Sequence, residues 1–245
     1  MAVLQKIEKR GSLEQASKIR RRCGEILRYA VATERENYTF APDLAIALNK
    51  SKKQHFPFLT ESELPAFVSV LENYEDSLVT KFATQLLMLT GVGTIELRAA
   101  EWVEFDLENP LWEILKERMK KRRPHLVPLS TQAISILRQL QVITGNYSFV
   151  FPSRNDVRKP MSEASINKVT KLLGYHGRLT GHGFRHSMST ILYEHGFEST
   201  WIEKQLAHVD KNSIRGTYNH AQYLKQQSIM MQYYSILIFD MHSTI

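Results

Sequence analysis

Apolar residues recur at three and four over most of this chain and change to strict alternation once, between Val103 and Leu129. The first spacing lays a stripe along a helix, the second fills one face of a strand. Val103, Phe105 and Leu107 alternate with acids, Asn109-Pro110 supplies a turn, and Leu111–Leu115 and His125–Leu129 continue the pattern. The expected fold is mainly α (α+β), a helical domain holding one small three-stranded antiparallel sheet.

The helices can be placed by their stripes and caps. Leu13, Ala16, Ile19, Cys23, Ile26, Leu27 and Ala30 predict a helix from Ser12 to Thr33, buried along one stripe, with a second short helix over Pro42–Leu48. Thr60 and Glu63 form a capping box ahead of Leu64, Phe67, Val68 and Leu71, and another buried helix follows from about Ser77 to Leu89. Ser130 caps a helix to Gln141, and Ser162 one to about Leu173. Three more are expected over Phe184–His195, Thr200–Ala207 and Ser213–Tyr223, separated by Gly196 and by Asp210–Asn212. After Gln227 the apolar stretch Tyr233–Phe239 reads as an irregular tail that docks on a neighbouring protomer or packs in cis.

At 245 residues and 43% hydrophobic, the chain can bury one full-sized core. Two helices enclose little core by themselves, so residues 1–48 read as part of a helical domain. Residues 49–55, polar and lysine-rich, read as a linker, residues 56–225 as the main domain, and residues 226–245 as its tail. No apolar run approaches the roughly 18 to 20 residues that span a bilayer, and Lys6, Lys9 and Arg10 are followed by no apolar signal segment. The lone Cys23 excludes an internal disulfide and a cysteine zinc site, so a soluble cytoplasmic protein is the expectation.

A net charge of +7 calls for an anionic partner without choosing among DNA, RNA and acidic protein. Residues 1–55 carry 12 Lys and Arg against 6 Asp and Glu, whereas residues 56–245 carry 20 against 19. Any anion site in the larger part must therefore come from local clustering. In the first part Arg20, Arg21 and Arg22, with Lys18 and Arg28, crowd one helix, which is either a solvated surface or a face that tracks phosphates. In the second, Arg118, Lys120, Lys121, Arg122 and Arg123 sit between the last two strands and read as a phosphate contact.

The segment Gly181-His182-Gly183-Phe184-Arg185-His186 places a histidine and an arginine three apart at a helix start. That spacing points both side chains the same way. Unpaired N–H groups at a helix N-terminus attract an anion, and a guanidinium adds a two-pronged donor suited to phosphate. His182 and His186, four apart, also have metal-ligand spacing, but no glutamate follows His182 as a zinc hydrolase would require.

The order Lys120, His182, Arg185, His208, Tyr218 resembles that of the tyrosine recombinases, and most closely the integrases of satellite phages and pathogenicity islands. The likeness runs through Leu97-Arg98-Ala99-Ala100-Glu101-Trp102, Met119-Lys120, Pro124-His125-Leu126-Val127-Pro128-Leu129-Ser130 and the His182 segment. It continues through Gln205-Leu206-Ala207-His208 and Arg215-Gly216-Thr217-Tyr218-Asn219. It implies that residues 56–225 are the catalytic domain and residues 1–48 the C-terminal remnant of a core-binding domain, and that the arm-binding domain usual in such integrases has no counterpart here.

The same resemblance implies a set of roles. Tyr218 attacks the scissile phosphate of double-stranded DNA and forms a 3′-phosphotyrosyl link, with Tyr223 as rival nucleophile. A phenol with a pKa of about 10 needs cations and a proton acceptor to do this at neutral pH. Arg185 and His208 hold the non-bridging oxygens, His182 takes the phenolic proton, and Lys120, or alternatively Lys121, protonates the departing 5′ oxygen. His208 could equally be a simple helix cap. Lys121, Arg122, Arg123 and Arg20–Arg22 would contact the nucleic acid, no metal or cofactor is called for, and four protomers would assemble on DNA.

One position departs from the pattern. Such integrases place an arginine in a Thr-Gly-x-Arg-x-Gly-Glu-Leu turn, where this chain reads Thr90-Gly91-Val92-Gly93-Thr94-Ile95-Glu96-Leu97. Gly93 offers no donor, and Ile95 puts a branched side chain where a freer backbone is expected. Arg98 is a poor substitute, since five helical residues rotate it about 140° away. Catalytic impairment is the expectation. The competing reading is a non-enzymatic DNA-binding module in which Met188–Val209 forms a helix-turn-helix.

Overall fold

A computed structural model describes residues 1–49, 56–120, 122–208 and 223–240. The chain divides into two compact units, residues 1–55 and 56–245.

In the first unit, α1 (Ala2–Lys9) lies against α2 (Leu13–Ala32), and a 3-10 turn over Asp43–Ala45 packs on α2. The helix α1 was not anticipated, and the expected helix over Pro42–Leu48 reduces to that single turn. The α2 stripe is not buried as its spacing suggested: Ala16 and Gly24 are covered, whereas Ile19, Cys23, Ile26 and Leu27 are exposed. The reason is supply, because so short a unit holds too few partners to cover a helix of five turns. Arg20 donates to Ala41 O at 3.3 Å, Arg22 pairs with Glu25 at 2.9 Å, and Arg21 is exposed.

The second unit is built around α4 (Leu78–Thr90). Ser77 caps it by accepting from Thr80 N, and every residue from Phe82 to Thr90 is buried. A helix covered on all sides from Phe82 onward must be enclosed by neighbours, and α4 packs against α6 (Thr131–Thr144), α7 (Ser165–Leu172), α8 (Gly183–Glu194) and α10 (Leu224–Asp240). Ahead of it the Thr60–Glu63 capping box forms as expected, closing a 3-10 turn that leads into α3 (Leu64–Glu72).

After α4 the short α5 (Thr94–Arg98) leads to the three-stranded antiparallel sheet β1 (Phe105–Asp106), β2 (Leu111–Ile114) and β3 (His125–Pro128). Trp112 is opposite Phe105 on one side and Val127 on the other. The first strand is shorter than its alternation suggested, because Trp102–Glu104 coils into a 3-10 turn. That turn leaves Val103 exposed and directs the buried Glu104 carboxylate inward, where it accepts from Trp112 Nε1 at 3.0 Å and from Arg118. Glu104 looks like the polar half of a strand pattern but acts as a buried acceptor.

Two boundaries move for local reasons. Thr144 Oγ1 donates to Leu140 O and Val150 O, and α6 runs on to it. Ser162 Oγ accepts from Ala164 N in a turn that precedes the helix, so α7 starts later than expected. The expected helix over Ser213–Tyr223 lies outside the described residues, apart from Tyr223. The stretch read as an irregular tail is instead the regular helix α10. Met230, Met231, Tyr234 and Ile238 are buried, and it packs against α3, α4, β3, α8 and α9 (Ser199–Gln205) of the same chain. No helix among the described residues is long and apolar enough to cross a membrane.

Candidate nucleic-acid and phosphate site

Arg185 stands in the first turn of α8, where the positive end of a helix dipole disfavours a cation. Two carbonyls hold it there: one guanidinium nitrogen donates to Gly91 O and another to Leu206 O, each at 2.6 Å. Burial works against its charge and lowers its pKa, while the nearby carboxylates of Glu96 and Glu203 pull the other way. A guanidinium keeps its proton in such surroundings. The result is a fixed positive group between the end of α4 and the end of α9.

Those two carbonyls are positioned by a buried relay. Gln205 Nε2 donates to Thr90 O at 2.8 Å, Gln205 O meets His125 Nε2 at 3.0 Å, and Gln227 of α10 donates to Gln205 Oε1 at 3.4 Å. His125 is desolvated to a pKa of about 4, so its ring is neutral at physiological pH and Nε2 is free to donate. Sequence reasoning missed both Gln205 and His125 as functional residues. Their only signal was membership of two of the segments that carry the family likeness.

His208 is positioned by the way α9 ends. Ala207 adopts φ 51°, Ala207 N donates to Lys204 O, and His208 N donates to Glu203 O at 2.9 Å. This is a Schellman closure with alanine where glycine is usual. It turns the His208 ring so that Nδ1 meets Glu203 Oε2 at 2.7 Å. With Nδ1 committed to a carboxylate, Nε2 is the ring atom left to meet any further partner.

His182 occupies the N-cap position of α8, one turn before Arg185. Burial lowers its pKa below the ordinary histidine value, and the charges of Arg185, His186 and His208 add to the effect. His182 is thus biased towards the neutral form, the form able to accept a proton. The start of α8 also abuts the start of α5, since a Cβ on Gly181 would lie 2.8 Å from Thr94 Cγ2. His182, Arg185, His208 and the turn at Gly93 are thereby brought to one place.

The structure does not bring every candidate there. Lys120 is exposed on the β2–β3 hairpin, Arg122 beside it has φ 52°, and Lys121 lies outside the described residues. Arg123 is close enough to Lys204 on α9 to depress that lysine's pKa after burial has done so. Arg118, counted with this cationic loop, is not a phosphate contact: it turns inward onto the Glu104 carboxylate and Glu96 O. Tyr218 lies outside the described residues, and its rival Tyr223 sits at the start of α10 with φ 70°. Among the described residues no cluster of three or more His, Cys, Asp or Glu could hold a metal ion. A surface groove of about 650 Å³, lined by Leu107, Leu129, Ile134, Arg138 and Val142 among others, shares no residue with the Arg185 group.

Residues 57–225 match the model of the Phage integrase family, and residues 1–47 match that of the phage integrase central domain. The chain belongs to the phage integrase family. It is 45% identical over 236 residues to the integrase of Shigella phage Sf6, covering 96% of this chain and 61% of that protein. Prophage integrase IntS of Escherichia coli strain K12 gives the same identity and coverage. The integrase of Enterobacteria phage P4 is 35% identical over 251 residues, with 96% and 57% covered. The chain thus spans about three-fifths of the length of these relatives.

Two solved integrases share the fold. A lambda integrase dimer bound to a COC′ core site superposes with a TM-score of 0.66 at 18% identity, covering 86% of this chain and 75% of that one. The Tn1549 transposon integrase in complex with a circular intermediate DNA gives 0.67 at 17% identity, covering 84% and 76%.

In the turn at Gly93, Glu96 keeps the acid of the pattern that the chain resembles, while Gly93 itself stands at the place of its arginine. Gly93 N–H donates to the Glu96 carboxylate, and a Cβ at position 93 would lie 2.6 Å from Glu96 Oε2. Ile95 is not strained, contrary to expectation: it sits in the first turn of α5, exposed, with no left-handed backbone. Arg98 donates to Met161 O at 3.1 Å, away from the turn at Gly93, so it does not replace the missing arginine.

The helix-turn-helix reading meets a different obstacle. α8, the left-handed Gly196 and α9 do make such a shape. Yet α9 buries Ile202 and Gln205, and Glu203 is engaged by Tyr193 and His208, which leaves little of that helix to read bases.

Proposed function

We propose that this chain is the DNA-cleaving part of a site-specific recombinase, a prophage integrase acting on double-stranded attachment-site DNA, and that Gly93 severely weakens it. The observation that carries this reading is the Arg185 guanidinium, fixed by Gly91 O and Leu206 O between two histidines of different character. The DNA complexes of the structural neighbours and the integrase relatives support it.

In this reading Tyr218 Oη attacks the phosphorus, and the bond to the 5′ oxygen breaks as the bond to tyrosine forms. His182, kept neutral by its surroundings, takes the phenolic proton. Arg185 and His208 hold the non-bridging oxygens as charge accumulates. Lys120 gives a proton to the leaving 5′ oxygen, and the adduct conserves the ester, so a new 5′ hydroxyl can reverse the step without ATP. Arg20, Arg21, Arg22, Lys121, Arg122 and Arg123 contribute phosphate contacts, the protein works in the cytoplasm, and strand exchange uses four protomers.

Gly93 removes one donor from this site. Losing one such preorganised donor costs on the order of 10²- to 10³-fold in rate. The Glu96 carboxylate adds to the deficit, because with no charge at position 93 it acts on Arg185, the guanidinium that remains.

The test is to restore the donor with Gly93→Arg and Ile95→Gly, incubate the full chain with a pool of nicked duplexes, and map covalent adducts by mass spectrometry. A DNA-linked peptide carrying Tyr218, lost in Tyr218→Phe, is the expected result. Adducts on Tyr223, or no DNA affinity at all, would overturn the reading.

A further inference from the structure

The segment that enters the second unit crosses the first turn of α8 under unusually tight constraints. A Cβ on Gly183 would lie 2.2 Å from Pro57 O, so the backbone at 57 occupies the space where any other residue would put a side chain. Ser187 fastens the strap from both sides, accepting from Leu59 N at 3.1 Å and donating to Leu59 O at 2.6 Å. Two rings hang from it onto two histidines: Phe56 lies 4.4 Å from His182 between centroids, and Phe58 lies 6.0 Å from His186. Leu59 is buried, whereas Phe56 is 53% exposed and adds little to the core.

An exposed phenylalanine held against a histidine calls for a reason other than core packing. We propose that residues 56–59 form a strap over the start of α8, in which Phe56 is a positioning residue that covers one face of the His182 ring and fixes it for proton transfer. The inference rests on the reading of His182 as proton acceptor. His182 as a whole stays exposed, so the strap leaves a path for a proton while removing water from the side that Phe56 meets. That removal agrees in direction with the desolvation of His182. The charged groups facing His182 are Arg185 and His186 from α8 and His208 from the end of α9, all of which also disfavour its protonation. From the strap the contribution is apolar.

The experiment is an NMR titration of the His182 ring in the full chain, assigned by loss of its signal in His182→Gln. With Phe56→Ala the midpoint should rise towards the ordinary histidine value, and Phe56→Tyr, which keeps the ring, should restore the parental midpoint. Phe58→Ala, which uncovers His186 instead, should leave His182 closer to its parental behaviour than Phe56→Ala does. Circular dichroism on each variant checks that the helical content is unchanged. An unmoved His182 midpoint in a folded Phe56→Ala variant overturns the proposal. In the Gly93→Arg, Ile95→Gly background the acid limb of adduct formation should move with the midpoint. If the midpoint moves and that limb does not, Phe56 still positions His182, and it is the assignment of His182 as proton acceptor that fails.

Discussion

The guanidinium of Arg185 donates to the carbonyl oxygen of Gly91 at 2.6 Å, two residues ahead of Gly93. A second bond of equal length to Leu206 O places the same group two residues ahead of His208. Arg185 is thus a structural tie as well as the proposed anion ligand, and the two roles separate by substitution. Arg185→Met strands two carbonyls and should lower unfolding free energy by about 2 kcal/mol, read from urea midpoints. Arg185→Lys keeps the charge but not the fork, and should fall between parent and Met in both stability and DNA affinity.

The hairpin cations should divide in the opposite way. Arg118 is largely covered and bonds a carboxylate that is 1% exposed. Breaking such a pair costs about 3 to 5 kcal/mol, so Arg118→Ala should destabilise the sheet strongly. Lys120→Ala with Arg122→Ala should leave the urea midpoint nearly unchanged while reducing the salt dependence of DNA retention by about two counterions. Equal effects of the two changes on stability would contradict this division.

His125 supplies a pH dependence with a definite sign. Its pKa in the folded chain is about 4, below the 6.5 of a solvated histidine. As pH falls through 6.5 the unfolded chain takes up the proton first, so stability declines from there down to about pH 4 and the contribution levels off below. The loss is about 3 kcal/mol, visible as the difference between parent and His125→Gln unfolding curves across that window. Parallel curves would refute it.

Ala207 holds a left-handed backbone without being glycine, at φ 51°. Ala207→Gly should therefore raise stability by roughly 0.5 to 1 kcal/mol, purely by relieving the backbone. The loop carrying His208 should become no less ordered, because the two bonds of the Schellman closure use backbone groups alone.

How much of this was legible in the sequence follows from which interactions are local. The Thr60–Glu63 box, the Ser130 cap and the strands β2 and β3 each depend on residues near in sequence, and all form close to where their patterns placed them. The α2 stripe misled because spacing shows which face can be buried and not whether a partner exists to bury it. Glu104 and Arg118 misled because an inward carboxylate and an outward one look alike until Trp112 is seen beside the first. At the site, the histidine and arginine of the α8 start were readable from their three-residue spacing. The Gln205 relay, the alanine-built closure before His208 and the Phe56 strap were not, since each depends on backbone geometry or on segments far apart in the chain.

The central claim is that Arg185, His182 and His208 form a phosphate site from which one donor has been lost at position 93. The most direct measurement compares initial rates of covalent adduct formation on a nicked duplex by the parent chain and by Gly93→Arg with Ile95→Gly, at equal DNA occupancy. Restored catalysis should exceed the parent by at least about 10²-fold, the worth of a preorganised donor. Equal rates in a folded, DNA-bound repaired chain would contradict the account.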